Sequence, residues 1–140
     1  MDNDAIEREL RDMYSSGNVQ ELSREISEMG SEDMVQEWPQ SGERIRGRDN
    51  IIAVNQNYEG ATGTAPSLTL RRIVKPGQAW IIEGTIDYGD GTPVSIVSIL
   101  ETNAEGKITR ATDYFANPFE APEWRRQWVE QMEPVAGRAG

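Results

Sequence analysis

The sequence predicts an α+β domain in which helices precede an antiparallel sheet. Residues 4–30 carry apolar side chains at helical spacing in two segments, which Gly17 separates. From residue 68 onward apolar and polar side chains alternate as in β-strands, and the turn sequences "KPGQ", "GDGT" and "NAEG" divide the strands. Helices first and strands second favour a domain whose helices pack on one face of the sheet.

Three helices are predicted in the first half of the chain. The first, in "AIERELRDMYSSG", places four apolar residues on one face: Ile6, Leu10, Met13 and Tyr14. The second, in "NVQELSREISEMG", has Asn18 as its N-cap and Gly30 as its C-terminal stop. The third lies in "RDNIIAVNQNYEG". Between the second and third helices, "DMVQEWP" predicts a short strand and "SGERIRG" predicts a loop.

Four strands are predicted in the second half of the chain: "LTLRRIV", "AWIIEGTIDY", "PVSIVSILET" and "KITRATDYF". A last helix is predicted after them, in "APEWRRQWVEQM". Alternation in "AWIIEGTIDY" predicts one buried and one wetter face. Both faces of "PVSIVSIL" are partly apolar, so we expect one to meet the helices and the other to meet a second subunit in a homodimer. The chain's own tail is the alternative cover. We expect one domain over residues 1–133 and a flexible tail over residues 134–140.

Composition restricts the chemistry that the chain can perform. It has no cysteine and no histidine, which excludes disulfides, thiolate metal sites and histidine acid–base catalysis. The formal net charge of −10 argues against nucleic-acid and anionic-membrane partners. No apolar run is long enough to span a membrane and the N-terminus lacks a signal-peptide layout, so we expect a cytoplasmic protein. We expect no metal and no cofactor, which leaves proton transfer to carboxylates, tyrosine or lysine.

Two segments resemble a known family: "MVQEWPQSGERIRGRDNIIAVNQNY" and "EGKITRATDYFANPFEAPEW". They are similar to SnoaL-like polyketide cyclases of the nuclear transport factor 2-like superfamily, and the layout of elements agrees over roughly residues 4–130. The resemblance implies a cone-shaped (cystatin-like) α+β fold, with three N-terminal helices packed on a curved antiparallel sheet, a deep pocket and a homodimer. Ketosteroid isomerase and limonene epoxide hydrolase are relatives, so the fold does not by itself define the reaction.

Asp113 is the first candidate catalytic residue. The "DYF" that begins there resembles the last strand of limonene epoxide hydrolase, in which the aspartate is a catalytic acid. Strand alternation puts Ala111 and Phe115 on the same face as Asp113. A carboxylate on such an apolar, half-closed face can donate or accept a proton near neutral pH. The alternative is an aspartate that hydrogen-bonds the "ANPF" turn.

Glu37 is the second candidate catalytic residue. "VQEWP" resembles the strand end at which ketosteroid isomerase holds its proton-shuttling aspartate. The register is open by one residue, so either Glu37 or Trp38 faces the pocket. The alternative for Glu37 is an ion pair with an arginine of the next loop: Arg44, Arg46 or Arg48.

Six residues are expected to bind the substrate: Trp38, Tyr58, Trp80, Ile82, Ser98 and Phe115. The chain also departs from its relatives. Ile82 and Gly84 stand where limonene epoxide hydrolase has an Arg-x-Asp pair, which argues against epoxide hydrolysis by its water-activating route. Leu10 and Ser98 stand where ketosteroid isomerase has its oxyanion hole, which argues against a strong enolate-stabilising site.

These observations support two functions for a small-molecule pocket. The first is a cofactor-independent acid–base enzyme on a small, mainly apolar molecule, of the isomerase, cyclase, dehydratase or epoxide-opening type. Asp113 would be its principal acid or base and Glu37 a partner. The alternative is a non-catalytic small-molecule-binding domain of the same fold. A protein-interaction adaptor is a third possibility that rests only on the apolar outer face of the sheet.

Overall fold

The computed structural model describes residues 2–105 and 107–133 and has an α+β architecture. The helices are α1 (Asn3–Tyr14), α2 (Val19–Met29), α3 (Arg48–Thr62) and a 3-10 helix (Glu123–Trp128). The strands are β1 (Val35–Trp38), β2 (Glu43–Arg46), β3 (Ala79–Asp87), β4 (Pro93–Thr102), β5 (Ile108–Ala116) and β6 (Glu130–Gln131). Within the described residues the strands form two antiparallel sheets, β1-β2-β6 and β3-β4-β5. The predicted tail, residues 134–140, lies outside the described residues.

Local sequence explains where the helices begin and end. The Asp2 carboxylate accepts a hydrogen bond of 2.7 Å from the Ala5 amide and caps α1. The predicted cap of α2 is confirmed, because the Asn18 side chain accepts from the Glu21 amide at 3.0 Å. Gly63 ends α3 in the left-handed conformation, with φ of 75°, which a glycine adopts without the steric cost of a Cβ.

The small sheet contains a strand that the sequence did not predict. β2 lies in "SGERIRG", whose sequence predicts a loop, and it pairs with both β1 and β6. Glu43 and Ile45 point inward and are 0% exposed, whereas Arg46 points outward and binds Glu130 at 2.6 Å. The alternation was hidden because a charged residue, Glu43, occupies an inward position. A buried glutamate needs a partner, and that partner is remote in the sequence.

The three-stranded sheet β3-β4-β5, called the meander below, confirms three of the four predicted strands. The fourth, "LTLRRIV", is not a strand. Two arginines attach that segment to the meander through side chains instead. Arg72 binds Glu101 at 2.8 Å, and Arg71 donates to the Tyr114 hydroxyl at 3.1 Å. These side-chain hydrogen bonds hold the segment beside the meander, although its backbone does not pair with a strand there.

The last predicted helix is also shorter than expected. The chain forms the six-residue 3-10 helix and then extends into β6, which pairs with β2. The Arg44 side chain on β2 binds Glu133 just after β6, at 2.8 Å. Pairing with an otherwise open strand edge and this ion pair favour an extended chain over further helical turns.

The core lies between α3, the small sheet and the 3-10 helix. Ile45, Ile51 and Val54 form its buried centre, and five half-buried residues pack around it: Met34, Trp38, Trp124, Trp128 and Val129. No described helix packs extensively on the meander. The prediction of helices across one face of the main sheet therefore differs from the structure. Instead, α3 packs on the small sheet, α2 packs on α3, and α1 contacts α2.

The edge strands of the meander, β3 and β5, are mostly exposed on both faces, whereas alternation predicts one buried face for β3. Trp80 and Ile81 are neighbours on opposite faces and are 71% and 67% exposed. Phe115 on β5 is 59% exposed. Alternation correctly divides the side chains between the two faces, but burial depends on what lies against each face.

As for membranes, none of the helices in residues 2–105 and 107–133 combines the length and the apolar character that a spanning helix requires.

Candidate functional site

A cavity of about 260 Å³ lies between α2, α3, β1 and the 3-10 helix. Six apolar or aromatic residues line it: Val19, Trp38, Val54, Tyr58, Pro66 and Trp124. Three polar side chains also reach it: Gln20, Asn55 and Arg125. Mostly apolar walls with a few polar groups are typical of sites for small organic molecules.

One side of α3 and the loop that contains Pro66 form two of the cavity walls. Val54, Asn55 and Tyr58 follow one another along α3 at the spacing that puts them on one side of a helix. Tyr58 meets Trp124 edge to face, with ring centroids 6.0 Å apart. The loop that carries Pro66 is held by the Val19 amide, which donates to the Pro66 carbonyl at 3.4 Å.

A buried ion pair lies at one wall of the cavity. Arg125, 8% exposed, donates from Nε to Glu43 Oε2 at 2.6 Å and from Nη2 to Glu43 Oε1, so the pairing is bidentate. Burial raises the pKa of Glu43, but hydrogen bonds from Arg125 and Ser41 outweigh it, so the net pKa lies below the ordinary glutamate value. Glu43 is thus held as a carboxylate.

Two tryptophans flank the guanidinium of Arg125. Its central carbon lies 4.8 Å from the ring centroid of Trp38 and 5.6 Å from that of Trp124. Both distances fall within the range of a cation–π contact. With Glu43 on one side and aromatic rings around it, the guanidinium has little freedom to move.

Asp113 and four of the predicted substrate-binding residues come together on the meander. Strand register aligns Ile82, Ser98 and Asp113 in one row across the sheet. Trp80 and Phe115 belong to the same face, on either side of that row. Ser98 Oγ donates to Asp113 Oδ1 at 2.6 Å, so the Asp113 carboxylate bonds a neighbouring strand and not the "ANPF" turn. Asp113 is exposed and does not line the cavity.

Glu37 lies on a different sheet from Asp113, in a cluster of charges. Arg44 donates from Nε to Glu37 Oε2 at 2.8 Å, which is the ion-pair alternative that the sequence left open. Arg44 also donates to both carboxylate oxygens of Glu133, and these bonds lower the pKa of Glu133 to about 2. Of the two register alternatives, Trp38 lines the cavity and Glu37 does not.

Trp38 and Tyr58, two of the predicted substrate-binding residues, line the cavity, whereas its charged pair is not among the predicted site residues. Glu43 and Arg125 are 82 positions apart, and no local pattern links them. One signal was available: "EWRRQW" places two arginines between two tryptophans, an arrangement that suits cation–π contacts. That signal does not by itself choose between Arg125 and Arg126.

Comparisons with known proteins add no further assignment. No family model, curated protein or solved structure matches the chain.

Residues 2–105 and 107–133 contain no cluster of three or more histidine, cysteine, aspartate or glutamate side chains placed to hold a metal ion. The cavity and the face of the meander that carries Asp113 are therefore the two candidate sites.

Proposed function

We propose that the chain is a small-molecule-binding domain whose ligand occupies the cavity between α2, α3 and the 3-10 helix. The observation that carries this proposal is the buried Arg125–Glu43 pair, held between two tryptophans at the wall of an apolar cavity. Buried charges are costly to fold, so such a pair beside an open volume is a feature of a recognition site more than of an inert core.

The size and lining of the cavity define the ligand further. Its volume of about 260 Å³ is just below the range of roughly 300–1,000 Å³ that holds drug-sized molecules. The ligand is therefore small, on the scale of one substituted ring, and mainly apolar. A cytoplasmic location is part of the same proposal.

A cavity-filling substitution tests this proposal. Val19 is half-buried and lines the cavity, so Val19→Trp adds a bulky side chain without removing any core residue. We expect it to weaken binding of a one-ring probe, acetophenone, by about tenfold or more in isothermal titration calorimetry, since overpacking costs about 1–3 kcal/mol and about 1.4 kcal/mol corresponds to tenfold.

Val35→Trp is the matched control for this experiment. Val35 is 43% exposed on β1, outside the cavity lining, so the same change of side chain leaves the cavity unaltered. Equal weakening by both variants, or no binding by the wild type at millimolar probe, would contradict the proposal.

We propose acid–base catalysis by Asp113 as the second candidate function. The supporting observation is the 2.6 Å hydrogen bond from Ser98 to Asp113, within an apolar face that also carries Trp80, Ile82 and Phe115. This candidate keeps the SnoaL-like resemblance and needs a cover for the face. In the cone-shaped nuclear transport factor 2-like arrangement the helices supply that cover, and in a homodimer the second copy supplies it.

Substitution of Asp113 tests this second candidate. If small enones or epoxides are turned over, Asp113→Asn is expected to lower kcat/KM by about 100-fold or more, because general acid–base groups contribute that much. Glu83→Gln is the control, since Glu83 points to the opposite face of the meander. An Asp113→Asn protein that remains folded and fully active would exclude Asp113 from the reaction.

A further inference from the structure

We infer that the cavity selects a neutral ligand with a carbonyl-type oxygen, which accepts a hydrogen bond from Arg125. This inference rests on the proposed function, namely that the cavity between α2, α3 and the 3-10 helix holds a small molecule. It adds the chemical class of that molecule and the group that recognises it.

Arg125 has hydrogen-bond donors that the protein leaves unused. A guanidinium carries five N–H groups, and Glu43 takes one from Nε and one from Nη2. Nη1 donates to no acceptor among the described residues. It is also not one of the described polar atoms that are both fully buried and without a hydrogen bond, so it is accessible from outside the protein. Nη1 therefore reaches open volume, and Arg125 lines the cavity.

The charge around Arg125 favours a neutral acceptor over an anion. Glu43 is 0% exposed and neutralises Arg125 through two hydrogen bonds. A ligand carboxylate would bring a second buried negative charge to a single cation, and its lost hydration would not be compensated. A neutral oxygen receives a charge-assisted hydrogen bond without that cost.

The rest of the wall specifies an apolar body for the ligand. Trp38, Tyr58 and Trp124 present aromatic surface beside the guanidinium. Trp38 and Trp124 also fix the position of Arg125, so its free donors have a defined direction. A ligand with an oxygen at one end and a hydrocarbon ring at the other satisfies both parts of the wall.

Three probes of matched size test the inference on the unaltered protein: acetophenone, ethylbenzene and benzoate. Their dissociation constants are measured at pH 7 by ligand-observed NMR. We expect acetophenone to bind about tenfold or more tightly than ethylbenzene, because a hydrogen bond to a charged group contributes at least that factor. We expect benzoate to bind more weakly than acetophenone, since its charge adds to that of Glu43.

The outcomes separate this inference from the proposed function. If ethylbenzene binds as tightly as acetophenone, the cavity binds apolar molecules but Arg125 does not recognise an oxygen, and the inference fails alone. If benzoate binds most tightly, the preference for neutral ligands is wrong. If none of the three binds, the proposed function fails together with the inference. The inference is supported if acetophenone binds most tightly of the three and about tenfold or more tightly than ethylbenzene, whichever of ethylbenzene and benzoate binds more weakly.

Discussion

Replacing Arg125 by methionine is expected to lower the free energy of unfolding by about 3–5 kcal/mol at pH 7, the usual cost of removing one member of a buried ion pair. Methionine fills much of the volume of the arginine stem, so the main loss is electrostatic. It leaves the Glu43 carboxylate, which is 0% exposed, without its bidentate partner. Urea denaturation followed by tryptophan fluorescence measures the change.

The pH dependence of that loss provides a second readout. In the wild type the folded-state pKa of Glu43 is lowered, so its contribution to stability is present above the unfolded-state pKa and is lost as pH falls through the folded-state pKa. Without Arg125, burial penalises the charged form of Glu43, and only the hydrogen bond from Ser41 opposes that penalty. The penalty then disappears as the carboxyl is protonated, so the difference between variant and wild type should shrink in acid.

Arg126→Met is the matched control for Arg125→Met. Arg126 is the next residue, and its side chain is 77% exposed beside Glu123. An exposed pair of this kind contributes about 0–1 kcal/mol, so the control should unfold almost like the wild type at every pH. Similar losses in both variants, or a loss at Arg125 that grows in acid, would contradict the account of the buried pair.

Ile45→Ala is expected to lower the free energy of unfolding by about 2–5 kcal/mol, the range for truncating a buried isoleucine to alanine. Ile45 is 0% exposed and joins β2 to α3 through Ile51 and Val54. Truncation removes apolar contacts and leaves a void that the tryptophans around the core cannot fully close. The same urea titration measures the loss.

Ile81→Ala makes the same chemical change at an exposed position. Ile81 is 67% exposed on β3, and surface substitutions usually change stability by no more than about 0.5 kcal/mol. A small effect at Ile81 together with a large one at Ile45 supports the assignment of the core to the small sheet. A loss at Ile81 as large as that at Ile45 would mean that the meander face is buried in solution, by helices or by a second copy.

Much of the local structure was predictable because short-range chemistry determines it. Asn18 caps α2 through a hydrogen bond to the Glu21 amide three residues later, and both groups are visible in the sequence. The strands of the meander follow from alternation and from glycine turns such as Gly89 and Gly91, which adopt positive φ angles. Alternation also groups Ile82, Ser98 and Asp113 correctly on one face.

Long-range pairing could not be predicted from the same patterns. In β2 the inward-facing Glu43 is buried against Arg125, and the sequence around Glu43 gives no sign of that distant partner. For Glu37 the sequence left two roles open, a pocket acid by resemblance of "VQEWP" to a catalytic strand end and an ion pair with a nearby arginine. In the structure Glu37 pairs with Arg44, which also binds Glu133. Alternation defines the two faces of a strand, but it does not say whether any other element covers them.

The central claim is that the cavity beside Arg125 holds a small molecule, and the most direct measurement of it is the position of a bound probe. Intermolecular nuclear Overhauser effects can be recorded between acetophenone and the methyl groups of the protein. We predict contacts from the probe to the methyl groups of Val19 and Val54, which line the cavity on α2 and α3. Contacts only to Ile81 or Ile82 on the exposed meander would contradict the claim.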